Sequence, residues 1–510
     1  FLYGTGGVTH ACGMSGKFRS KRNVVMAALT WGAVLLWGMR PVMLAGTALE
    51  GAGGTLRNVI IVQVDDLGFG DFACYGNPTV RTPAVDRLAR EGVRFMDAYA
   101  PSPLCSPSRA GLLIGRWPVR IGLTNAIGPA GKRWAEGRQL IEPPNPDRLP
   151  YEETTLAEVY EAAGYATASI GKWHLGGEDS MPHHHGFQVN FAGNDIGSQR
   201  SMFGPDYGIR LGPVPEGEYL TDRLQEEAEA FIRENAGRPF FLMLNHFAVH
   251  RPVGAKPETI ARYGERVEGP WGLLPEYAAM IEDFDASLGR MLEFLRETQL
   301  DDTTVLVLIS DNGAVRQWGS NGLLRGAKGL IYEGGIRVPL IIRGPGVEAG
   351  LVSTEPVHAA DLFPTLLEFS GLEVPPHLEL DGMSLRALLG GELASLPERP
   401  LYWHFPHYNM HGSRPAQAIR VGDWKLIHFF ETDQIALYNL RSDIGESEDV
   451  SERMPEKVHA MREVLAEMGR TGGAILPMPN PDYAGMEPEP VPLLPFESTR
   501  TAPGADPNAP

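Results

Sequence analysis

A series of short, β-branched apolar runs that alternate with amphipathic helical patterns constrains the fold more than any other feature of the sequence. The apolar runs occupy residues 59–64, 166–170, 239–244, 303–309 and 338–343. Helical patterns lie between them at residues 82–92, 154–164, 220–235 and 276–297. Strands that alternate with helices predict a mostly parallel sheet with helices on both faces. We therefore expect an α/β fold built on one large sheet.

Polar, ionisable residues follow four of these apolar runs directly. The runs end in Asp65-Asp66, in the segment GKWH, in the segment NHFAVH and in the segment SDNG. In open α/β sheets, ligands bind outside the carboxyl ends of the strands. The four clusters are therefore predicted to converge on one pocket, although they are far apart in the sequence.

Composition divides the chain into four predicted segments. Residues 1–48 comprise a short N-terminal extension and, from Met14, a basic stretch, an apolar run and small residues near Ala48. This pattern is typical of a cleaved export signal, with a membrane anchor as the alternative. Residues 55–399 carry the alternating pattern and form the main domain. Residues 400–472 contain aromatic-rich strand candidates and a helical pattern, which predict a small antiparallel α+β subdomain, and residues 473–510 form a Pro-rich tail. We expect a periplasmic or secreted protein with no stable membrane insertion after cleavage of the signal.

Charge and cysteine content restrict the partners and the covalent chemistry. The formal net charge of −18 at pH 7 argues against general affinity for nucleic acid or anionic membranes, although it permits a local basic pocket. The chain has three cysteines, Cys12, Cys74 and Cys105, and signal cleavage would leave the last two. In an exported protein these two could form a disulfide, which is one interpretation of Cys105.

An acidic cluster follows the first and fourth of the runs that end in polar residues. Its members are Asp65, Asp66, Asp311 and Asn312, and every one of them offers oxygen. Such hard ligands suit Ca²⁺ or Mg²⁺ better than Zn²⁺. Helix capping and turn formation are the ordinary alternatives for Asp and Asn. Their position at strand ends of one sheet favours a metal site.

A basic cluster accompanies the acidic one. Its members are Arg109, Lys172, His174, His250 and Lys328. Taken singly, each is more often a solvated charge or a buried structural histidine. Beside an oxygen-ligated cation, they predict a pocket that binds an oxyanion. His246 and Arg325 lie in the same segments, whereas the triple histidine at 183–185 is predicted to be part of a loop and not a metal site.

The stretch PLCSPSRAGLLIGR, residues 101–114, places a cysteine where a helix is expected to start. Ser106 can cap a helix that begins at Pro107, where a missing N–H costs nothing. Cys105 would then lie at the positive end of the helix, with Arg109 in its first turn. This is a place to hold an anion or to activate a nucleophile.

The residues CSPSR at 105–109, continued by AGLLIGRWPVRIGL, resemble the C-x-P-S-R signature of type I, formylglycine-dependent sulfatases of the alkaline phosphatase superfamily. The resemblance extends over roughly residues 57–470, because NVIIVQVDDLG, GKWHLG, the His250 segment, SDNG, the Lys328 loop and GDWKLI follow in family order. It implies an alkaline phosphatase-like sheet between helices. It also implies an exported hydrolase that converts aryl or carbohydrate sulfates into an alcohol and inorganic sulfate.

The resemblance also implies cofactors and residue roles. A formylglycine-generating enzyme would oxidise Cys105, recognised through Pro107 and Arg109, and a sulfated formylglycine hydrate can expel sulfate by collapsing to the aldehyde. Ca²⁺, or Mg²⁺ in its place, would be held by Asp65, Asp66, residue 105, Asp311 and Asn312. Arg109 and Lys172 would hold formylglycine and sulfate oxygens, and Asp311 would take a proton. The acid–base roles would fall to His250 with Lys328, which protonate the leaving oxygen, and to His174, which deprotonates the second hydroxyl.

Several alternatives remain open from the sequence. A small polar residue that helps to bind sulfate is expected among Asn194, Asp195 and Ser198. Residues 125–150 and 198–220 are predicted loops that set the substrate, and sulfated sugars are favoured. A formylglycine-dependent phosphonate or phosphate-ester hydrolase is the rival enzyme. A non-catalytic, calcium-dependent binder of sulfated glycans would follow if Cys105 were not matured.

Overall fold

The computed structural model describes residues 57–128, 135–212, 214–265 and 269–485. The predicted export signal at 1–48, with Cys12 and Ala48, and the part of the predicted tail beyond residue 485 lie outside these ranges. Within them, we find no helix with the length and apolar character needed to cross a bilayer.

The strands, in chain order, are β1 (Asn58–Val64), β2 (Val93–Phe95), β3 (Ala98–Tyr99), β4 (Leu140–Ile141), β5 (Ala166–Gly171), β6 (Val189–Phe191), β7 (Phe240–Asn245), β8 (Thr304–Ser310), β9 (Leu340–Arg343), β10 (Val352–Ser353), β11 (Val357–His358), β12 (Leu401–Phe405), β13 (Ala416–Val421), β14 (Trp424–Phe429), β15 (Gln434–Asn439) and β16 (Met478–Pro479). The α-helices are α1 (Pro83–Glu91), α2 (Cys105–Ile114), α3 (Leu156–Ala162), α4 (Leu220–Asn235), α5 (Pro257–Ile260), α6 (Pro275–Glu297), α7 (Glu333–Ile336), α8 (Leu362–Phe369), α9 (Arg386–Leu389) and α10 (Pro455–Thr471).

One sheet of eight strands organises the main part of the chain, in the order β10-β2-β9-β8-β1-β7-β5-β6. Neighbouring strands run parallel except at β9, which is antiparallel to both β2 and β8. Strand β1 lies between β7 and β8, and all of its residues are buried. This arrangement confirms the predicted α/β fold with a mostly parallel mixed sheet.

Helices cover both faces of this sheet, as the alternating pattern predicted. Side chains of β1 alternate between the two layers because successive residues of a strand point to opposite faces. Ile60 and Val62 pack in a layer with residues of α1, α4 and α6. Val59 and Ile61 pack in the opposite layer with residues of α2, α3 and α8. Burial on both faces explains the continuous apolar sequence of this strand.

The C-terminal part contains a four-stranded antiparallel sheet in the order β12-β13-β14-β15. Helix α10 covers one face of it, where Met461 and Leu465 pack against Tyr402 and Leu426. The other face packs against Leu104, next to the start of α2, among other residues. The predicted small antiparallel sheet with a helix is therefore present. Strand β16, in the first part of the predicted tail, pairs antiparallel with β4.

Candidate active site

The acidic residues follow two neighbouring strands in the centre of the sheet, at the same edge. Val64 at the end of β1 pairs in register with Ser310 at the end of β8, so that Asp65-Asp66 and Asp311-Asn312 follow at the same edge. All four are buried. The backbone of Asp66 is left-handed, with φ of 61°, and its N–H donates to Asp311 Oδ1 at 3.1 Å. The register of two neighbouring strands therefore brings together residues that are 245 positions apart.

Cys105 lies beside these carboxylates, at the first residue of α2. Its Sγ is 3.6 Å from Asp65 Oδ1, 3.9 Å from Asp66 Oδ1 and 3.4 Å from Lys328 Nζ. Burial raises the pKa of the Cys105 thiol to about 12. An unmodified Cys105 is consequently a neutral thiol near pH 7 and a poor nucleophile.

The predicted cap of this helix is wrong in detail. The helix begins at Cys105, two residues before Pro107, and Leu104 at the N-cap makes no side-chain cap. Ser106 Oγ instead accepts a hydrogen bond from the Ile127 N–H at 3.0 Å. The Ser106 hydroxyl therefore binds the backbone of a distant loop and does not cap the helix as the local sequence predicted.

The disulfide alternative for Cys105 is also wrong. Cys74 and Cys105 are both free in the structure. Cys74 is partly buried against the core layer that contains α1, α4 and α6, whereas Cys105 is at the edge of the sheet with the carboxylates.

The acidic cluster has the donor set of a divalent cation site. One ligand atom from each of Asp65, Asp66, Cys105 and Asp311 lies within 4.8 Å of all the others. Asn312 Nδ2 donates to Asp66 Oδ1 at 2.9 Å, and Asn312 Oδ1 is a buried acceptor without a hydrogen-bond partner among the described residues. A buried acceptor of this kind costs free energy unless something binds it. The oxygen donors and this unpaired amide oxygen therefore fit Ca²⁺ or Mg²⁺.

Each carboxylate of the cluster has its own buried cation. Lys172 Nζ is 2.6 Å from Asp65 Oδ2, Lys328 Nζ is 2.7 Å from Asp66 Oδ2, and Arg109 Nη2 is 2.8 Å from Asp311 Oδ2. Although burial opposes them, Lys328 and His250 hold the pKa of Asp66 well below its usual range. Burial raises the pKa of Asp65 to about 7, with Lys172 acting in the opposite direction.

Two of the predicted histidines face the same cavity. His250 Nε2 is 3.5 Å from Asp66 Oδ2, and its Nδ1 is 2.7 Å from the Arg251 carbonyl oxygen, so Nδ1 carries the proton of the neutral ring. His174 Nε2 is 3.0 Å from the Ile127 carbonyl oxygen, and its Nδ1 has no hydrogen-bond partner in the part of the chain that the structure describes. A Cβ at Gly197 would lie 2.4 Å from His174 Cε1, so only glycine lets this loop approach the ring. Burial lowers the pKa of both histidines well below the usual value.

A cavity of about 440 Å³ opens onto this cluster. The predicted residues that line it are Asp66, Cys105, His174, His250 and Lys328. Arg109 and Lys172 lie behind the carboxylates: besides Asp311, Arg109 contacts the Lys172 carbonyl oxygen at 3.1 Å. The structure thus brings the predicted residues together at one end of the sheet. Some of them line the cavity, whereas Arg109 and Lys172 lie behind the carboxylates.

The three candidates for the small polar residue are separated by their side-chain contacts. Asn194 is turned into its own loop, where Nδ2 donates to the Ile209 carbonyl oxygen at 2.6 Å and Oδ1 accepts from the Ile196 N–H at 2.8 Å. Asp195 lines the cavity but pairs with Arg210 at 3.2 Å. Ser198 lines the cavity and carries no charge. Among the three, Ser198 is the side chain best suited to face an anion.

Sequence reasoning missed residues that the C-terminal part contributes to the cavity. Asn409, Met410 and His411, between β12 and β13, line it together with Trp318. Asn409 Nδ2 donates to the Gly329 carbonyl oxygen at 2.8 Å, which fixes this segment beside Lys328. These residues belong to none of the motifs, and only the density of polar residues in HYNMHGS distinguished their segment in the sequence.

Asp71 was also missed, although it is the third aspartate of DDLGFGD. Its carboxylate accepts hydrogen bonds at 2.7 Å from the Gly68 N–H, the Ser320 N–H and the Tyr277 hydroxyl. The same hydroxyl is 3.0 Å from the Asp66 carbonyl oxygen. Asp71 therefore holds together the two loops that follow β1 and β8.

Other residues in the predicted segments lie away from the cavity. His246 packs edge-on against Phe284, and Arg325 donates to the Glu446 carbonyl oxygen at 2.7 Å. In the triple histidine, residues Pro182–His184 form a 3₁₀ turn, and His185 Nε2 is 2.8 Å from Ser180 Oγ. Among the described residues, none of these three histidines belongs to a group whose ligand atoms could hold a metal ion.

Comparison with known proteins places these features in a family. The model of the family described as Sulfatase matches residues 57–372, and the model described as N-sulphoglucosamine sulphohydrolase, C-terminal, matches residues 325–470. N-acetylgalactosamine-6-sulfatase from Sus scrofa is 32% identical over 488 residues, which cover 89% of this chain and 86% of that protein. Arylsulfatase A from Homo sapiens is 32% identical over 493 residues, which cover 84% of this chain and 91% of that protein.

A solved structure has the same overall fold. The crystal structure of Ps i-CgsB in complex with k-i-k-neocarrahexaose superposes with a TM-score of 0.68 at 29% identity, and the match covers 82% of this chain and 92% of that chain. The match includes most of the chain described above.

Proposed function

The chain belongs to the sulfatase family and is a sulfuric ester hydrolase, and from this premise we propose that it acts through a formylglycine at position 105 and a bound Ca²⁺. The observation that carries the proposal is the position of Cys105, 3.6 Å from Asp65 and 3.4 Å from Lys328, on a cavity that could admit a sulfate ester. A hydrolase site needs a nucleophile, charge neutralisation and a proton donor in one place.

Formylglycine supplies a hydrated aldehyde whose hydroxyl attacks sulfur and whose second hydroxyl allows sulfate release. The pKa of about 12 for the thiol supports a need for such a modification, because the unmodified side chain is neutral near pH 7. Cys105 is only 3% exposed. A formylglycine-generating enzyme would therefore act on the segment CSPSR before the chain folds.

Asp65, Asp66, Asp311, Asn312 and residue 105 would hold the Ca²⁺, with Mg²⁺ as the alternative ion. The ion would neutralise sulfate charge and lower the pKa of the nucleophilic hydroxyl. The unpaired Asn312 Oδ1 supports this assignment. Lys172 and Arg109 contact Asp65 and Asp311 from behind, so they would fix these two carboxylates and add positive charge near the sulfate oxygens.

Proton transfer would be divided between two sides of the cavity. His250 Nε2 and Lys328 Nζ both lie next to Asp66, on the side that we assign to the leaving oxygen. Burial disfavours a charged His250, and the negative charge of an entering sulfate ester would favour it. The ring would therefore gain its Nε2 proton when the substrate binds. His174, with a free Nδ1, would deprotonate the second hydroxyl, and Ser198 would contact the sulfate.

We assign carbohydrate sulfates as the preferred substrates, ahead of aryl sulfates. Ps i-CgsB was crystallised with k-i-k-neocarrahexaose, and the porcine relative is named an N-acetylgalactosamine-6-sulfatase. We further propose export through residues 1–48, a catalytic domain at 55–399 and a C-terminal subdomain at 400–472 that closes one side of the cavity with Asn409, Met410 and His411.

Mass spectrometry of the tryptic peptide 95–109 from natively expressed protein tests the central step. We expect an aldehyde-bearing residue at position 105, whereas an intact thiol would overturn the formylglycine assignment and leave a calcium-dependent glycan binder. Steady-state rates on a nitrophenyl sulfate and on the matching phosphate monoester and diester then test the reaction class. Faster turnover of a phosphate ester would assign the chain to the rival phosphate-ester activity.

A further inference from the structure

A second groove lies beside the active-site cavity and encloses about 510 Å³. One wall is the segment 325–332, and the other includes residues 411–414, between β12 and β13. Lys328 and His411 line both the groove and the cavity. The groove therefore begins at the residue whose Nζ is 3.4 Å from Cys105 Sγ.

The groove is cationic although the chain as a whole carries a net charge of −18. Arg316, Arg325 and Arg414 line it, and no aspartate or glutamate is among its lining residues in the part of the chain that the structure describes. Arg316 is exposed and makes no hydrogen bond or ion pair with any described residue. Arg414 is 62% exposed, with Glu431 at 3.6 Å as its acidic neighbour. Two of the three guanidinium groups are thus available to an anion from solvent.

The same groove presents aromatic rings. Tyr332 and Phe429 line it with ring centroids 6.3 Å apart, and the Arg325 guanidinium lies 4.1 Å above the Tyr332 ring. Arg325 is fixed by its hydrogen bonds to the Glu446 carbonyl oxygen and, at 3.2 Å, to the Tyr438 hydroxyl. Rigid aromatic faces pack against the apolar face of a sugar ring, while guanidinium groups bind sulfate or carboxylate in two-pronged geometry.

We propose that this groove is a binding subsite for a second, anionic sugar of a sulfated oligosaccharide, whose neighbouring sulfated sugar occupies the active-site cavity. The assignment rests on the proposed function for the group in the cavity and extends it from a single sulfate ester to a chain of charged sugars. Arg316 and Arg414 hold the charged substituent of the second sugar, and Tyr332 and Phe429 contact its ring.

Binding measured without turnover tests the subsite. In a Cys105→Ala background, isothermal titration compares tetrasaccharides of chondroitin 6-sulfate, heparan sulfate and carrageenan with the corresponding sulfated monosaccharides. We expect at least one tetrasaccharide to bind, and the Arg316→Ala/Arg414→Ala double variant to bind it at least tenfold more weakly, with unchanged affinity for the monosaccharide. The matched control is Arg441→Ala/Arg453→Ala, which removes the same charge from residues that are 80% and 62% exposed and lie outside the groove.

Three results would overturn the subsite: no tetrasaccharide binds, the groove variant binds as tightly as the parent, or the control variant weakens binding equally. Turnover of a nitrophenyl sulfate by the matured protein is measured separately, with and without the groove substitutions. We expect the two rates to agree within twofold, because that substrate does not reach the groove. Absence of turnover in the unsubstituted protein contradicts the proposed function alone, since the binding result does not depend on it.

Discussion

Two buried clusters of charged residues in this molecule contain similar residues but differ in their access to a cavity. The strand-tip cluster, made of Asp65, Asp66, Asp311, Lys172, Lys328 and Arg109, lies below Cys105. The joint cluster, made of Glu333, Glu446, Lys425, Arg337, Arg420, Asp97 and Tyr99, lies where the C-terminal sheet meets the main sheet. In the joint cluster Lys425 Nζ is 2.9 Å from both Glu333 and Glu446, and the side chains of all three are 0% exposed.

The difference between the clusters supports the choice of the strand-tip cluster as the candidate active site. The centre of the joint cluster, Lys425 with Glu333 and Glu446, is enclosed by protein, and Lys425 contacts both carboxylates. The strand-tip cluster opens onto a cavity through Asp66 and Lys328, and beside it Asn312 Oδ1 and His174 Nδ1 have no hydrogen-bond partner among the described residues. Buried ion pairs are common structural features, so burial alone does not identify a site. Access to a cavity distinguishes the strand-tip cluster from the centre of the joint cluster.

The largest expected effect comes from the nucleophile. Cys105→Ala should reduce sulfate-ester turnover by at least about 10³-fold, since the remaining residues can bind substrate but cannot form the covalent bond. Unfolding in denaturant should change little, because the thiol lines a cavity. Cys74→Ala is the control and should retain turnover. Comparable activity in the Cys105→Ala and Cys74→Ala variants would show that the strand-tip cluster takes no part in the hydrolysis.

A matched pair of lysine substitutions separates the two clusters directly. Lys425→Met removes the cation that contacts both Glu333 and Glu446 and leaves Glu333 with Arg337 as its only ion-pair partner among the described residues. The free energy of unfolding should therefore fall by about 3–5 kcal/mol. Lys328→Met should cost less stability, because Lys328 lines the cavity and water can enter the space that its ammonium group leaves beside Asp66, but it should abolish most sulfatase turnover. Chemical denaturation and steady-state rates on both variants provide the comparison. If Lys328→Met proved the more destabilising of the two, the distinction between the clusters would be wrong.

Replacement of His250 sharpens the assignment within the strand-tip cluster. His250→Ala should slow sugar and alkyl sulfates by about 10²-fold or more, since an alkoxide leaves poorly without a proton. A nitrophenyl sulfate should lose less than about tenfold, because nitrophenolate needs little protonation. Rates are measured over a series of leaving groups. Equal losses across the series would exclude His250 as the proton donor.

The smallest effect is the one that bound calcium has on stability. If the strand-tip cluster holds calcium as proposed, calcium at 100 times its dissociation constant should stabilise the folded protein by about 2.7 kcal/mol, because the unfolded chain would lack the site. Thermal unfolding with calcium and with a chelator measures this difference. Asp311→Asn should lose the calcium-dependent shift, whereas Glu446→Gln in the joint cluster should retain it. A shift that persists in Asp311→Asn would place the ion elsewhere.

Local sequence determined the elements and the chemistry of the site. The apolar runs predicted β1, β5, β7, β8 and β9, since a strand buried on both faces requires continuous apolar residues. The polar residues that follow these strands predicted the oxygen donors and cations of the candidate site, and the segment CSPSR predicted the position of the proposed nucleophile. These features are encoded by neighbours in the chain, so a single sequence reveals them.

Tertiary structure decided which contacts those residues make. The pairing of Val64 with Ser310, the transfer of Ser106 from helix cap to the Ile127 N–H, and the inward turn of Asn194 all depend on contacts between distant segments or on loop geometry. The same holds for Asn409 and His411 at the cavity and for the arginines of the groove. A hydrogen bond or an ion pair forms with whichever group packing brings within reach, and no local pattern specifies that partner.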